Sequence, residues 1–249
     1  MEGFESGRPP AHILAAGQRR PVGEKGLKGE DRSRTAFFNG LYRDADGDAD
    51  RIPWADLAPK ERIAEWLARN PASAHESALD IACGLGDNAE ALAAAGYATT
   101  AFDLSPEAIE WAKRRFPESG VDYSQADLFA LPAHWRDAFD LVNECYTLQS
   151  LPPDMLDATS RAIASTVRPG GLLLVYARWR PDGAEASGPP WPLERRNLRV
   201  FQSLGFTAVH EDLFAIHKPR RVIPHAFTVW RRLKNHAESV SPRESGEGD

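Results

Sequence analysis

The stretch Leu79-Asp80-Ile81-Ala82-Cys83-Gly84-Leu85-Gly86-Asp87-Asn88 constrains the fold more than any other part of this chain. A short apolar run turns at Gly84 and Gly86 into an alanine-rich segment, and a second apolar run follows and closes on Asp103. A strand, a tight turn, a helix opening and a second strand at this spacing predict a βαβ unit. A strand that returns through a helix runs parallel to the first, by a right-handed crossover.

The flanking sequence repeats the alternation. Residues 58–70 predict an amphipathic helix, with Ile63, Ala64, Trp66 and Leu67 apolar, Pro59 in its first turn and Pro71 just past its end. Strands are expected over 77–82, 98–103, 121–124, 139–143 and 172–177, and helices over 88–95, 106–116 and 153–167. Ser105 before Pro106 reads as an N-cap followed by proline at the first helical position. In the last third, residues 193–204 predict a helix broken by Gly205. Two extended runs, 206–216 and 222–231, are then joined by His217-Lys218-Pro219-Arg220, too short a link for a crossover, so they pair antiparallel. The expected fold class is therefore α/β: a Rossmann-like, mostly parallel sheet of about seven strands, one antiparallel near the edge, with helices on both faces. Residues 1–34 and 236–249, rich in glycine, charge and small polar residues, are expected to be disordered, which leaves one domain over 35–235.

Bulk composition narrows the class of partner. A formal net charge of -6 speaks against general nucleic-acid binding, which needs clustered Lys and Arg in excess. The 2 cysteines, Cys83 and Cys145, have no ligand-like spacing, so neither a disulfide framework nor a metal site is expected. No apolar run approaches the roughly 18 residues of a membrane span, and the first residues do not read as a secretory signal. A cytoplasmic protein with no membrane partner is the resulting expectation. Its oligomeric state is open. The alternating carboxylates Asp44, Asp46, Asp48 and Asp50 resemble a calcium loop, but Ala55 stands where the closing Glu belongs, so a solvated acidic loop is expected.

Several residues converge on one edge of the expected sheet. Gly84 and Gly86 leave the backbone bare where the first helix begins, so a ligand can meet the unpaired N–H groups of that turn, with Ala82, Cys83 and Asn88 beside it. Asp103, followed by Leu104, can accept hydrogen bonds from two ribose hydroxyls, and Asp127, followed by Leu128, from an adenine amino group. Asn143 and Glu144 end the fourth strand. Open α/β sheets bind ligands at such strand ends; capping of the turns that follow is the plainer alternative for Asp103 and Asp127, but two acids at successive strand ends beside the glycine turn favour cofactor binding.

With these residues in view, the chain resembles the class I S-adenosylmethionine-dependent methyltransferases over about residues 75–180. The family's glycine-rich motif falls on Asp80, Ala82, Gly84 and Gly86, its ribose-binding acid on Asp103, its adenine-side acid on Asp127 and its fourth-strand motif on Asn143 to Tyr146. Its Pro-Gly-Gly turn falls on Pro169 to Gly171, and Ala82 replaces the usual first glycine. The resemblance implies S-adenosylmethionine as cofactor and methyl transfer to the S, N or O atom of a small molecule. Gly84-x-Gly86-x-x-Ala89 with Asp103 also suits a nicotinamide dinucleotide, which keeps an NAD-dependent oxidoreductase as the competing reading. A cofactor-binding regulator without catalysis is a third. The helix preceding the motif and the reversed late strand favour the methyltransferase.

The acceptor side is less defined. Residues 39–57, with Tyr42 and Trp54, and residues 179–191, between Trp179 and Trp191, are candidate pocket walls, and aromatics there suit an apolar substrate. Arg51-Ile52-Pro53-Trp54 also resembles the entry segment of the thiopurine and thiol methyltransferases, which implies that Trp54 packs over the cofactor and that the N-terminal arm acts as a lid. Tyr146 is the candidate for orienting the acceptor or handling a proton. Cys145 has no neighbouring His or Lys in sequence to activate it as a nucleophile.

Overall fold

A computed structural model describes residues 27–219 and 221–234. Its strands, β1 (Ser77–Ile81), β2 (Ala98–Asp103), β3 (Asp122–Gln125), β4 (Phe139–Cys145), β5 (Val167–Arg180), β6 (Leu193–Glu194), β7 (Phe206–Lys218) and β8 (Arg221–Arg232), form one 8-stranded sheet. The order is β3-β2-β1-β4-β5-β8-β7, with the short β6 pairing with β5 off that path. β1 to β5 are parallel, and β8 runs antiparallel to both its neighbours, β5 and β7. The expected reversed strand is thus β8, one place in from the edge. A two-residue strand, too short to show in the hydrophobic pattern, adds to the seven expected.

The helices α1 (Leu27–Ala45), α2 (Glu61–Arg69), α3 (Asp87–Ala94), α4 (Pro106–Arg115), α5 (Thr147–Ser150) and α6 (Leu156–Ala164) surround the sheet. Alternation along β5 explains why both faces need cover. Leu173 and Val175 enter one core with Leu79, Ile81, Ile163 and Trp230, while Leu174 and Tyr176 enter another with Ile63, Trp66, Ala78 and Phe227. Ser105 caps α4 as expected, its side chain accepting from the Ala108 N–H at 3.3 Å.

Four local expectations are corrected. The helix over 58–70 begins only at Glu61, because Pro59 lies before the Lys60 N-cap rather than in the first turn. Residues 193–204 are not one α-helix: β6 comes first, then a 3-10 run over Arg195–Leu204 kinked at Arg199. Arginines at 195, 196 and 199 reach Glu194 and Glu211 instead of lining a regular polar face. β5 starts at Val167, so Pro169 to Gly171 lie within the strand, where the pairing with β4 shifts register. Finally, the boundary drawn at residue 34 falls inside α1, which is helical from Leu27. Its anchorage is at the other end, where Tyr42 and Ala45 are buried with Ile52, Leu85 and Trp111. Residues 1–26, Arg220 and the tail over 236–249 lie outside the described residues.

Candidate functional site

The ends of β1, β2 and β4 and the loop after β3 open on one crevice, roofed by α1 and the segment before α2. Asp80, Ala82, Cys83, Gly84, Asn88, Asp103, Leu104, Asp127, Leu128, Trp54 and Tyr146 all line it. The topology explains the convergence: β1 lies between β2 and β4, and parallel strands end at the same edge.

Backbone conformation dominates at the turn after β1. Gly84 and Gly86 have φ of 55° and 89°. A Cβ on Gly84 would stand 3.1 Å from the Tyr42 hydroxyl, and one on Gly86 would stand 2.4 Å from that of Tyr123. Gly86 therefore serves to pack α3 against β3 and lies behind the crevice wall. Ala82 also adopts a left-handed conformation, φ 51°, which costs an L residue about 1 kcal/mol relative to glycine. Cys83 anchors the turn through its N–H to the Phe102 carbonyl at 2.8 Å.

The acids form a graded set. Asp80 Oδ1 accepts from Asn143 Nδ2 at 2.7 Å, and the Ala89 N–H at the start of α3 also stabilises this buried carboxylate. Burial pushes its pKa up to about 7, against the lowering by Asn143. Asp103 accepts from the Gly84 N–H at 3.0 Å and from the Ser105 N–H at 2.9 Å. Burial raises it to about 6, opposed by these backbone donors. Its oxygens keep further acceptor sites for a ligand. Asp127 accepts from the Phe129 N–H at 3.0 Å, and the Arg34 guanidinium lies 3.7 Å away. Both Asp103 and Asp127 thus shape their own turns as well as facing the crevice.

Besides Gly86, two expectations about the crevice change. Asn143 is fully buried and lies behind Asp80, so it holds that carboxylate rather than lining the cavity. The segment between Trp179 and Trp191 is not among the crevice walls: Trp179 Nε1 donates to the His225 carbonyl at 3.1 Å, and the Trp191 N–H to that of Gln149 at 2.7 Å. Trp54 stands over the glycine turn, its Nε1 donating to the Tyr42 hydroxyl at 3.1 Å. Asn88 fastens the roof by accepting from the Lys60 N–H at 3.0 Å.

At the far end, Tyr146 lies between β4 and α5 with φ 71°, its hydroxyl 2.9 Å from His225 Nε2. The Lys60 ammonium is 5.0 Å from its ring centre and the Arg178 guanidinium 5.5 Å. His225, Arg178 and Lys60 were missed from the sequence. His225 and Tyr146 are 79 residues apart, and only the insertion of β8 beside β5 joins them.

Comparisons with known proteins agree with this geometry. Residues 78–171 match the family model described as a methyltransferase domain. The ubiquinone biosynthesis O-methyltransferase of Aromatoleum aromaticum is 38% identical over 109 residues, 43% of this chain and 46% of that protein. Its counterpart in Xanthomonas campestris pv. campestris is 35% identical over 143 residues, 57% of this chain and 58% of that protein. The chain thus spans about half the length of the curated relatives it matches. Among solved structures, a 1,6-didemethyltoxoflavin-N1-methyltransferase of Burkholderia thailandensis, bound to 1,6-didemethyltoxoflavin and S-adenosylhomocysteine, superposes with a TM-score of 0.63 at 19% identity, covering 87% of this chain and 93% of that one. A protein whose structure is described under the conversion of a disulfide bond into a thioacetal group during echinomycin biosynthesis gives 0.66 at 24% identity, covering 81% and 94%. The sheet and its surrounding helices share the Rossmann-like fold of these structures, and residues 78–171 match a methyltransferase domain.

Proposed function

We propose that this chain, built around that methyltransferase domain, transfers the methyl group of S-adenosylmethionine to a small-molecule acceptor. The observation that carries the reading is the buried Asp80 carboxylate, which lines the crevice beside the bare glycine turn and Asp103. A buried carboxylate costs free energy that a cationic ligand offsets, and the ammonium of the methionine moiety is a donor of the right charge. Asp103 would hold the ribose hydroxyls, Asp127 the adenine amino group, and Leu104 and Leu128 the ring between them.

When bound, the cofactor supplies a methyl group on a positively charged sulfur. The chain's part is to align the acceptor and exclude water. Trp54, Tyr42 and Phe38 pack edge to face across the roof, which suits a lid of this kind. The relatives named as O-methyltransferases favour oxygen, though S and N acceptors fit the same chemistry. We take the catalytic unit to run from α1 to β8 and place the protein in the cytoplasm without nucleic-acid or membrane partners. In support, no helix among the described residues is long and apolar enough to cross a membrane, Cys83 and Cys145 are free thiols, and the net charge is -6. No feature of the crevice favours the oxidoreductase or regulator alternatives.

Incubation with S-adenosylmethionine and a panel of phenols, thiols and amines tests the reading by mass spectrometry. Formation of S-adenosylhomocysteine together with a methylated acceptor is expected. Absence of both across the panel, with the cofactor bound, would favour a regulator.

A further inference from the structure

We propose that Tyr146 and His225 form a proton exit for the acceptor, and that the acceptor therefore carries a hydroxyl that loses its proton as it is methylated. The proposal rests on the methyl-transfer reading above. Tyr146 lines the crevice, and His225 is buried behind it. His225 Nδ1 lies 2.8 Å from the Ile223 carbonyl oxygen, and Nε2 lies 2.9 Å from the Tyr146 hydroxyl. A carbonyl only accepts, so Nδ1 carries the hydrogen and the neutral ring presents a lone pair at Nε2, to which the phenol donates. The phenol oxygen keeps lone pairs with which to accept from a further donor.

Burial raises the Tyr146 phenol well above its ordinary pKa, opposed by Arg178, so the phenol passes a proton on as it receives one and does not rest as a phenolate. Lys60 and Arg178 both lie close to the Tyr146 ring, and Arg178 Nε is buried without a hydrogen-bond partner among the described residues. A thiolate or neutral amine attacks without first losing a proton, whereas a hydroxyl gains most from a positioned proton acceptor. The acceptor hydroxyl donates its proton to Tyr146 Oη while Tyr146 passes its own to His225 Nε2. The acceptor oxygen forms its bond to the methyl carbon, and the electrons of the broken carbon–sulfur bond return to sulfur, leaving a neutral thioether. His225, now an imidazolium donating to Ile223 and Tyr146, releases the proton to water after the product departs.

The groups facing His225 are Tyr146 just past β4, Tyr176 and Arg178 of β5, Lys60 and Asp56 from the roof, and Phe214 of β7, which stacks on it at 5.6 Å with Arg62 beyond. Burial, joined by Arg178 and Lys60, holds the imidazole below its ordinary pKa, so its basic form dominates at neutral pH. Turnover of a hydroxyl acceptor should then decline as pH falls through that pKa.

Full-length wild type, Tyr146→Phe and His225→Gln are compared with a phenol and a thiol acceptor, alongside S-adenosylhomocysteine titration and nitrogen-15 NMR of the histidines. Each variant should lose about 100-fold in kcat with the phenol, and at least about tenfold less with the thiol. The double variant should be little worse than either alone, because the two residues act as one unit. Affinity for S-adenosylhomocysteine should hold. In the wild type, NMR should report His225 protonated on Nδ1, and Tyr146→Phe should raise its pKa by removing the donor to the neutral ring. An Nε2-protonated ring, or a phenol rate and acid limb unchanged in His225→Gln, would overturn the proposal. A wild type that binds the cofactor but methylates nothing would instead strike the underlying methyl-transfer reading, and the proposal with it.

Discussion

Asp103 meets two demands at once. Its carboxylate ties the glycine turn after β1 to the turn after β2, and the same oxygens face the crevice. The sequence offered turn capping and ribose binding as alternatives, and the hydrogen bonds show the capping half directly. Asp103→Asn keeps one acceptor oxygen and removes the charge. It should weaken S-adenosylhomocysteine binding by roughly 10- to 100-fold, as expected for hydrogen bonds to a charged group, measured by titration calorimetry. Ala82 gives a prediction of opposite sign. Its φ of 51° and exposed position leave the methyl group with conformational strain and no core to fill. Ala82→Gly should therefore raise stability by about 1 kcal/mol in urea unfolding, a gain trimmed by the greater freedom of glycine in the unfolded chain.

The strand–turn–helix units were legible because periodicity and turn chemistry agree in them. Glycine after β1, Ser105-Pro106 before α4 and the short link before β8 each leave few conformations open. Where the rules disagreed, tertiary contacts decided. The apolar spacing over 193–204 suits an α-helix, yet Leu193 and Glu194 pair with Trp179 and Arg180, and the chain beyond them winds as a kinked 3-10 run. Likewise, nothing in Asn143 alone distinguishes a crevice residue from one that braces Asp80. The junction of β4 and α5 shows a further property hidden from sequence: Glu144 is fully buried, accepting from the Leu148 N–H at 3.0 Å. Burial raises its pKa to about 8, against the lowering by the Leu148 and Thr147 N–H groups. An acid raised on folding stabilises most below its unfolded pKa of about 4.3, and that contribution is lost as pH rises through the folded value. Glu144→Gln, which resembles the protonated acid, should match wild-type stability near pH 5 and exceed it near pH 9 in denaturant titrations. Equal stability at both pH values would mean that Glu144 is not held protonated. On the other side of β1, Gly86→Ala would drive a Cβ to 2.4 Å from the Tyr123 hydroxyl at a left-handed φ. A loss of about 2 kcal/mol or more is expected from the combined clash and strain.

At the scale of the whole molecule, the sheet order brings together residues that sequence distance keeps apart. Asp80, Asp103, Asp127 and Tyr146 share an edge because parallel strands end there, and His225 joins them because β8 reverses beside β5. The cofactor half could therefore be read from consecutive motifs, while the acceptor half depended on long-range pairing with no local signal. α1 adds a roof through Arg34, Phe38 and Tyr42, extending the site beyond the matched methyltransferase domain at 78–171. The most direct test is titration calorimetry of the full-length protein with S-adenosylmethionine, S-adenosylhomocysteine and NAD. Saturable binding of both adenosyl ligands, weakened in Asp103→Asn, with no binding of NAD, is the expected result. Binding of NAD alone, or adenosyl ligands bound equally well by Asp103→Asn, would contradict it.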